Sequence, residues 1–133
     1  MDKFLSFLKE LDEIDLFIVE GKRDKEVFKY YNVLSLEEFS FNFESLISFL
    51  EDFKGRIIIL TDNDRKGKIL YKRIKEFLLE INILDDELLR VKFFKFFNIT
   101  HIEELRGDIN GKTLFRCSEV YYKRNYRSKR KSR

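Results

Sequence analysis

Two carboxylates one residue apart, Asp62 and Asp64, end the apolar run Arg56-Ile57-Ile58-Ile59-Leu60-Thr61, and a third, Glu20, ends the similar run Leu16-Phe17-Ile18-Val19. Short apolar runs bounded by turn formers and followed by helical patterns are expected as parallel strands of an α/β sheet, whose ligands gather beyond the strand C-termini. The three acids then converge on one edge, and Asp62 and Asp64 point the same way where strand geometry persists. Such oxygen donors suit Mg²⁺, with Mn²⁺ as the alternative. A hard cation held by one or two carboxylates and several waters grips phosphate oxygens and lowers the pKa of a bound water. Clustered acids also raise one another's proton affinity, so Glu20 is expected to hold a proton near neutral pH when metal is absent. The plainer reading is that Asp62 and Asp64 cap the following helix and Glu20 is a surface acid.

Around these acids stand Lys22, Arg23, Lys25, Arg65, Lys66 and Lys68. Together they would steer and clamp a nucleic-acid backbone, although each taken singly reads as a solvated helix face. Gly21 and Gly67 are assigned to backbone roles, one for a sharp strand exit and one for close approach where the loop enters a helix. His101 is the only histidine, and with no Cys or second His nearby a zinc site is not expected. It is read as a loop residue, with substrate contact as the alternative, and Glu103 and Glu104 are read as solvating a short helix beside it, with addition to the acidic edge as the alternative.

The elements that must position these groups follow from periodicity. A first helix, capped by Asp2, carries Phe4, Leu5, Leu8 and Leu11 and ends near Asp12. Strands are expected at about 15–20, 32–35 and 56–61, with helices at about 23–31, 42–53 and 68–81, the last showing Ile69, Leu70, Ile74, Phe77, Leu78 and Ile81 at helical steps. The segment 82–97 fits either a second helix or a strand, with an edge strand at about Leu89 to Phe94 favoured, and Ile102-Glu103-Glu104-Leu105 starts a short helix. The organisation expected is an N-terminal helix over 1–14, a single α/β domain over 15–106 and an extension over 107–133. The sheet should be mainly parallel, of four to five strands flanked by helices.

A chain of 133 residues supports one core and not a polymerase or topoisomerase. The net charge of +3 is uneven: residues 121–133 hold seven bases and no acid, leaving the first 120 residues with 20 bases against 24 acids. A basic, disordered tail from about 121, with Lys123, Arg124, Arg127, Lys129 and Arg130 among Tyr121, Tyr122 and Tyr126, matches a sequence-independent nucleic-acid arm or simply a solvated end. The lone Cys117 excludes an internal disulfide and fits a reducing cytosol. With no signal-peptide pattern and no long apolar run, the expectation is a cytoplasmic protein that does not span a membrane.

The two strand ends, Ile18-Val19-Glu20-Gly21-Lys22-Arg23-Asp24 and Leu60-Thr61-Asp62-Asn63-Asp64-Arg65-Lys66-Gly67, resemble the Toprim family, shared by topoisomerases, bacterial primases, recombination proteins and ribosomal-RNA maturation nucleases. The family's signature is Glu-Gly after a first strand and Asp-x-Asp after a later one. Thr100-His101-Ile102-Glu103-Glu104-Leu105 resembles the segment that follows the core in its small stand-alone, primase-like members. The resemblance spans about Leu16 to Leu105. It implies Asp62 and Asp64 as Mg²⁺ ligands and Glu20 as general acid or base, or a further ligand. It implies Mg²⁺-dependent phosphodiester chemistry on RNA or DNA or, as the alternative, a non-catalytic nucleic-acid-binding module. Protein partners or a homo-oligomer fit either.

Topoisomerase activity is not expected, because Arg65-Lys66-Gly67 follows the acids and no second domain supplies a tyrosine nucleophile. An Asp-x-Asp also serves haloacid-dehalogenase-type phosphatases, where the first Asp is a nucleophile. There the motif lies on the first strand and is followed by Gly-Thr, unlike Asp62-Asn63-Asp64-Arg65.

Overall fold

The computed structural model describes residues 3–106. The sequence-based assignments to Asp2 as a cap, to Cys117 and to the tail bases Lys123, Arg124, Arg127, Lys129 and Arg130 lie outside the described residues.

Residues Leu16–Val19 (β1), Val33–Ser35 (β2) and Ile57–Ile59 (β3) form a parallel sheet in the order β2-β1-β3. Phe17 stands opposite Val33 on one side and Ile58 on the other. Every residue of β1 and β3 is buried. Helices therefore cover both faces, which is why these strands read as unbroken apolar runs and not as alternating ones.

The period of two sorts the side chains between the faces. Phe17, Val19, Ile58 and Leu60 join one core with Phe7, Leu8 and Leu11 of α1 (Lys3–Asp12), Val27 of α2 (Lys22–Val27) and Phe93 of α5 (Glu87–Phe97). Leu16, Ile18, Ile57 and Ile59 join the other with Leu46 and Leu50 of α3 (Phe43–Leu50) and Ile74 and Leu78 of α4 (Arg65–Glu80). The result is a helix–sheet–helix sandwich. Two 3₁₀ turns, Leu36–Phe39 and Ile102–Leu105, complete it.

Two expectations need correction. Among the described residues the sheet has three strands, not four to five: beyond β3 the chain makes one isolated parallel bridge, Ile57 with Asp85, and continues into helix. Leu89 to Phe94 is part of helix α5 and not an edge strand. Asp86 caps that helix by accepting from the Leu89 N–H at 3.0 Å. Its apolar residues then follow a helical step, with Leu89, Phe93 and Phe94 buried in the core and Phe97 packed against it. Phe93 meets Phe28, with ring centroids 5.9 Å apart, and Phe7 meets Phe96 at 4.8 Å. Among the described residues no helix is long and apolar enough to cross a membrane.

Candidate metal centre

The strand order brings β1 and β3 side by side, so the residues just past their C-termini meet. The Asp62 N–H donates to Glu20 Oε1 at 3.0 Å, a bond across 42 residues that ties the two strand exits together. Asp62 Oδ1 in turn accepts from the Ile102 N–H at 2.8 Å, and the Asn63 N–H donates to the Thr100 carbonyl at 2.7 Å. These two bonds clasp the Asp62–Asp64 loop to the segment that follows α5.

Asp64 has two jobs. Its Oδ1 accepts from the Gly67 N–H at 2.7 Å and caps α4, while its Oδ2 lies 3.2 Å from His101 Nε2. The helix-capping alternative raised by the sequence is thus true of one Asp64 oxygen. Ligand atoms of Asp62, Asp64 and His101 all fall within 4.8 Å of one another, the spacing of a group that can hold a metal ion. Ligand atoms on a Mg²⁺-sized ion lie about 3–4 Å apart, so this donor set needs only a small inward adjustment. Glu20 lies outside this donor group; it accepts the Asp62 N–H and lines the adjoining cleft with Asp62.

Gly67 sits where no side chain fits. A Cβ there would lie 1.9 Å from the Asp62 carbonyl oxygen. The Thr61 hydroxyl, fully buried, donates to the Gly67 carbonyl at 2.7 Å and locks loop to helix. Gly21 needs a different explanation from the one the sequence suggested. Its φ of −128° is extended backbone open to any residue. A Cβ would meet Glu37 Oε2 at an ordinary 3.5 Å, so its backbone makes no special demand.

Sequence reasoning missed Arg90. It is 5% exposed, and its guanidinium donates to the carbonyls of Ile59 at 3.0 Å, Thr61 at 2.7 Å and Asp62 at 3.2 Å. These carbonyls lie on the outer edge of β3 and its exit, where a fourth strand would otherwise pair. The group also lies over the rings of Tyr71 and Phe94, at 4.5 and 4.9 Å from their centres. Burial brings its pKa down to about 10, so it stays charged at neutral pH. The signal available was a charged residue on the same helical face as Phe93 and Phe94.

A cleft of about 520 Å³ opens beside the centre, lined by Glu20, Asp24, Asp62 and Glu103 and by the bases Lys22 and Arg23. Arg65, Lys66 and Lys68 are exposed on the first turn of α4. Lys25 turns away to pair with Glu38 at 2.6 Å. Glu104 is structural: its Oε2 accepts the backbone N–H groups of Thr100 at 2.9 Å and His101 at 2.8 Å. Glu103 faces Arg23 at 3.8 Å.

The acids perturb one another. Burial raises the Glu20 carboxyl above its usual range, opposed by the Asp62 N–H and reinforced by the charges of Asp62 and Asp64. Burial raises Asp62 as well, against the Ile102 N–H and His101. Asp64 is lowered, first by the Gly67 N–H and then by His101, with slight burial opposing. Asp24, 7% exposed, accepts from the Gly21 N–H at 3.2 Å and is pushed up to about 6 by burial and then by Asp62.

For Asp24 the folded pKa exceeds the unfolded one, so the folded chain binds the proton more tightly between them. In metal-free solution this contribution to stability is fully present below 3.8 and is lost as pH rises through about 6. Glu20 and Asp62 act in the same direction. Thermal melts in EDTA should therefore show Asp24→Asn gaining stability over the native chain at about pH 8 and losing that advantage near pH 4. An advantage that does not change with pH would show that Asp24 does not titrate in this window.

The Toprim domain model matches residues 15–96. A solved protein from Aquifex aeolicus is 32% identical, superposes with a TM-score of 0.65, and the likeness covers 78% of this chain and 99% of that one. No curated protein matches the chain. The match contains Glu20, Asp62 and Asp64 and stops short of His101. With the matched span covering well over half of its residues, the chain belongs to the Toprim domain family, in which acidic residues hold a metal ion for work on nucleic acid.

Proposed function

We propose that the protein performs Mg²⁺- or Mn²⁺-dependent phosphodiester chemistry on nucleic acid, acting as a nuclease. The observation that carries this reading is the meeting of Asp62, Asp64 and His101 donor atoms within 4.8 Å of one another. Two carboxylates suit Mg²⁺, and an added imidazole nitrogen favours Mn²⁺. A bound ion supplies a Lewis acid for a phosphoryl oxygen and a water of lowered pKa.

The chain's own residues supply the rest. Asp62 and Asp64, with His101, would hold the ion. Lys22 and Arg23 in the cleft, and Arg65, Lys66 and Lys68 across the loop, hold phosphates on either side of the scissile bond. Glu20, its carboxyl raised by burial, carries a proton to or from the reacting oxygens as general acid or base. Lys123, Arg124, Arg127, Lys129 and Arg130 add sequence-independent backbone contacts.

The test compares the native protein with Asp62→Asn/Asp64→Asn on end-labelled single-stranded, duplex and structured RNA and DNA, in Mg²⁺, Mn²⁺ or EDTA. Cutting should fall roughly a thousandfold or more in the double variant, as expected for losing the several kcal/mol a metal contributes. The rise in melting temperature on adding metal should vanish with it, while the fold remains. Metal-independent binding without cutting, unchanged in the variant, would instead identify a binding module that acts with partner proteins.

A further inference from the structure

Phe41 lines the same cleft as Glu20, Asp62, Lys22 and Arg23, and it is 46% exposed. Its neighbours at alternate positions are anchored: Phe39 meets Phe49 at 5.5 Å between ring centroids, and Phe43 stacks on Phe77 at 5.5 Å. Among the described residues the Phe41 ring has no aromatic partner.

Its backbone is also held in an uncommon state. Ser40 and Phe41 both have left-handed φ, 52° and 56°, which is unfavourable for a bulky side chain. The turn is fixed on both sides. The Phe41 N–H donates to the Leu36 carbonyl and the Asn42 N–H to the Phe39 carbonyl, each at 2.9 Å. The Asn42 side chain then caps α3, accepting from the Ser45 N–H at 3.1 Å. Packing does not account for spending conformational strain on a half-exposed ring. Strain of this kind persists where the surrounding structure over-determines it, commonly at ligand sites.

From this geometry we infer that Phe41 is a stacking platform for one unpaired nucleobase of a strand whose phosphates lie against Lys22 and Arg23. A cleft of about 520 Å³ is large enough for a nucleotide, and beside the acids that line it, Glu20, Asp24, Glu37, Asp62 and Glu103, it offers Lys22 and Arg23 for phosphate and the Phe41 ring for a base. Base–aromatic stacking tolerates any base, so the subsite selects unpaired over paired nucleic acid and not one sequence over another. This subsite rests on the nucleic-acid reading above.

The test uses the full chain, a fluorescein-labelled single-stranded oligonucleotide and the same strand carrying abasic positions, with Ca²⁺ in place of Mg²⁺ to hold cleavage off. Phe41→Asn should bind the intact strand about tenfold more weakly, while the native protein shows a similar loss on the abasic strand and the variant loses little more there. Asn tolerates left-handed φ, so Phe41→Asn should melt at or above the native temperature, whereas a packing role would lower it. Phe41→Trp, in a chain with no other tryptophan, should keep affinity and show indole quenching when the strand binds. Equal binding by Phe41→Asn, or an indole that stays unquenched on a bound strand, overturns the subsite but leaves the nucleic-acid reading standing. A native protein that binds no strand overturns both.

Discussion

Gly67→Ala is expected to remove metal binding and to destabilise the fold by about 3 kcal/mol or more, the upper range for overpacking. The added methyl would sit 1.9 Å from the Asp62 carbonyl oxygen and 2.5 Å from its carbon, so backbone, not a flexible side chain, has to move. Loop and helix are joined there by the Thr61 hydroxyl on the Gly67 carbonyl and by the Gly67 N–H on Asp64, both at 2.7 Å. Any shift that relieves the clash strains both bonds and swings Asp64 away from Asp62 and His101. Lys66→Ala, one residue earlier and exposed, should change stability by less than about 0.5 kcal/mol. Urea unfolding gives the stability, and calorimetric titration with Mn²⁺ below the variant's melting point gives the affinity. If Gly67→Ala binds Mn²⁺ like the native chain, helix and loop are not as rigidly coupled as the geometry requires.

Arg90→Leu should be of similar severity. It strands the carbonyls of Ile59, Thr61 and Asp62 without donors, and each buried polar group left unpaired costs about 1–3 kcal/mol. Arg90→Lys should recover only part of the loss. An ammonium has no planar fork to span three acceptors and no planar group to set over the Tyr71 and Phe94 rings. The Asp62 carbonyl is one of the three, so metal affinity in the Lys variant should fall even at temperatures where it is fully folded. Full recovery of stability and affinity by Lys would mean that charge alone matters at this position.

The parts legible in the sequence are those written in local pattern. The apolar runs of β1 and β3 announce strands covered on both faces, and the acids that follow them announce the edge where chemistry gathers. α5 reads ambiguously because Val91 and four phenylalanines carry strand propensity, whereas burial of Leu89, Phe93 and Phe94 at helical steps and the Asp86 cap decide for the helix alternative. The smaller sheet has a related cause: after one backbone bridge at Ile57, the outer edge of β3 and its exit is satisfied by the Arg90 side chain in place of a neighbouring strand. His101 and Arg90 were undervalued for a different reason. Their partners, Asp64 and the Ile59, Thr61 and Asp62 carbonyls, lie 28 to 37 residues away in sequence, and no periodicity reports such a meeting.

The clasp between the Asp62–Asp64 loop and the chain after α5 uses main-chain atoms on the later segment, the Thr100 carbonyl and the Ile102 N–H. Side chains at these two positions can therefore vary without opening it, provided Ile102 still fills the core. Spacing cannot vary so freely. One residue inserted between Asn98 and His101 would shift the carbonyl, the imidazole and the amide out of phase with their fixed partners. The clasp is thus tolerant of spelling at Thr100 and Ile102 but intolerant of length, and an indel in this stretch is more damaging than most substitutions within it.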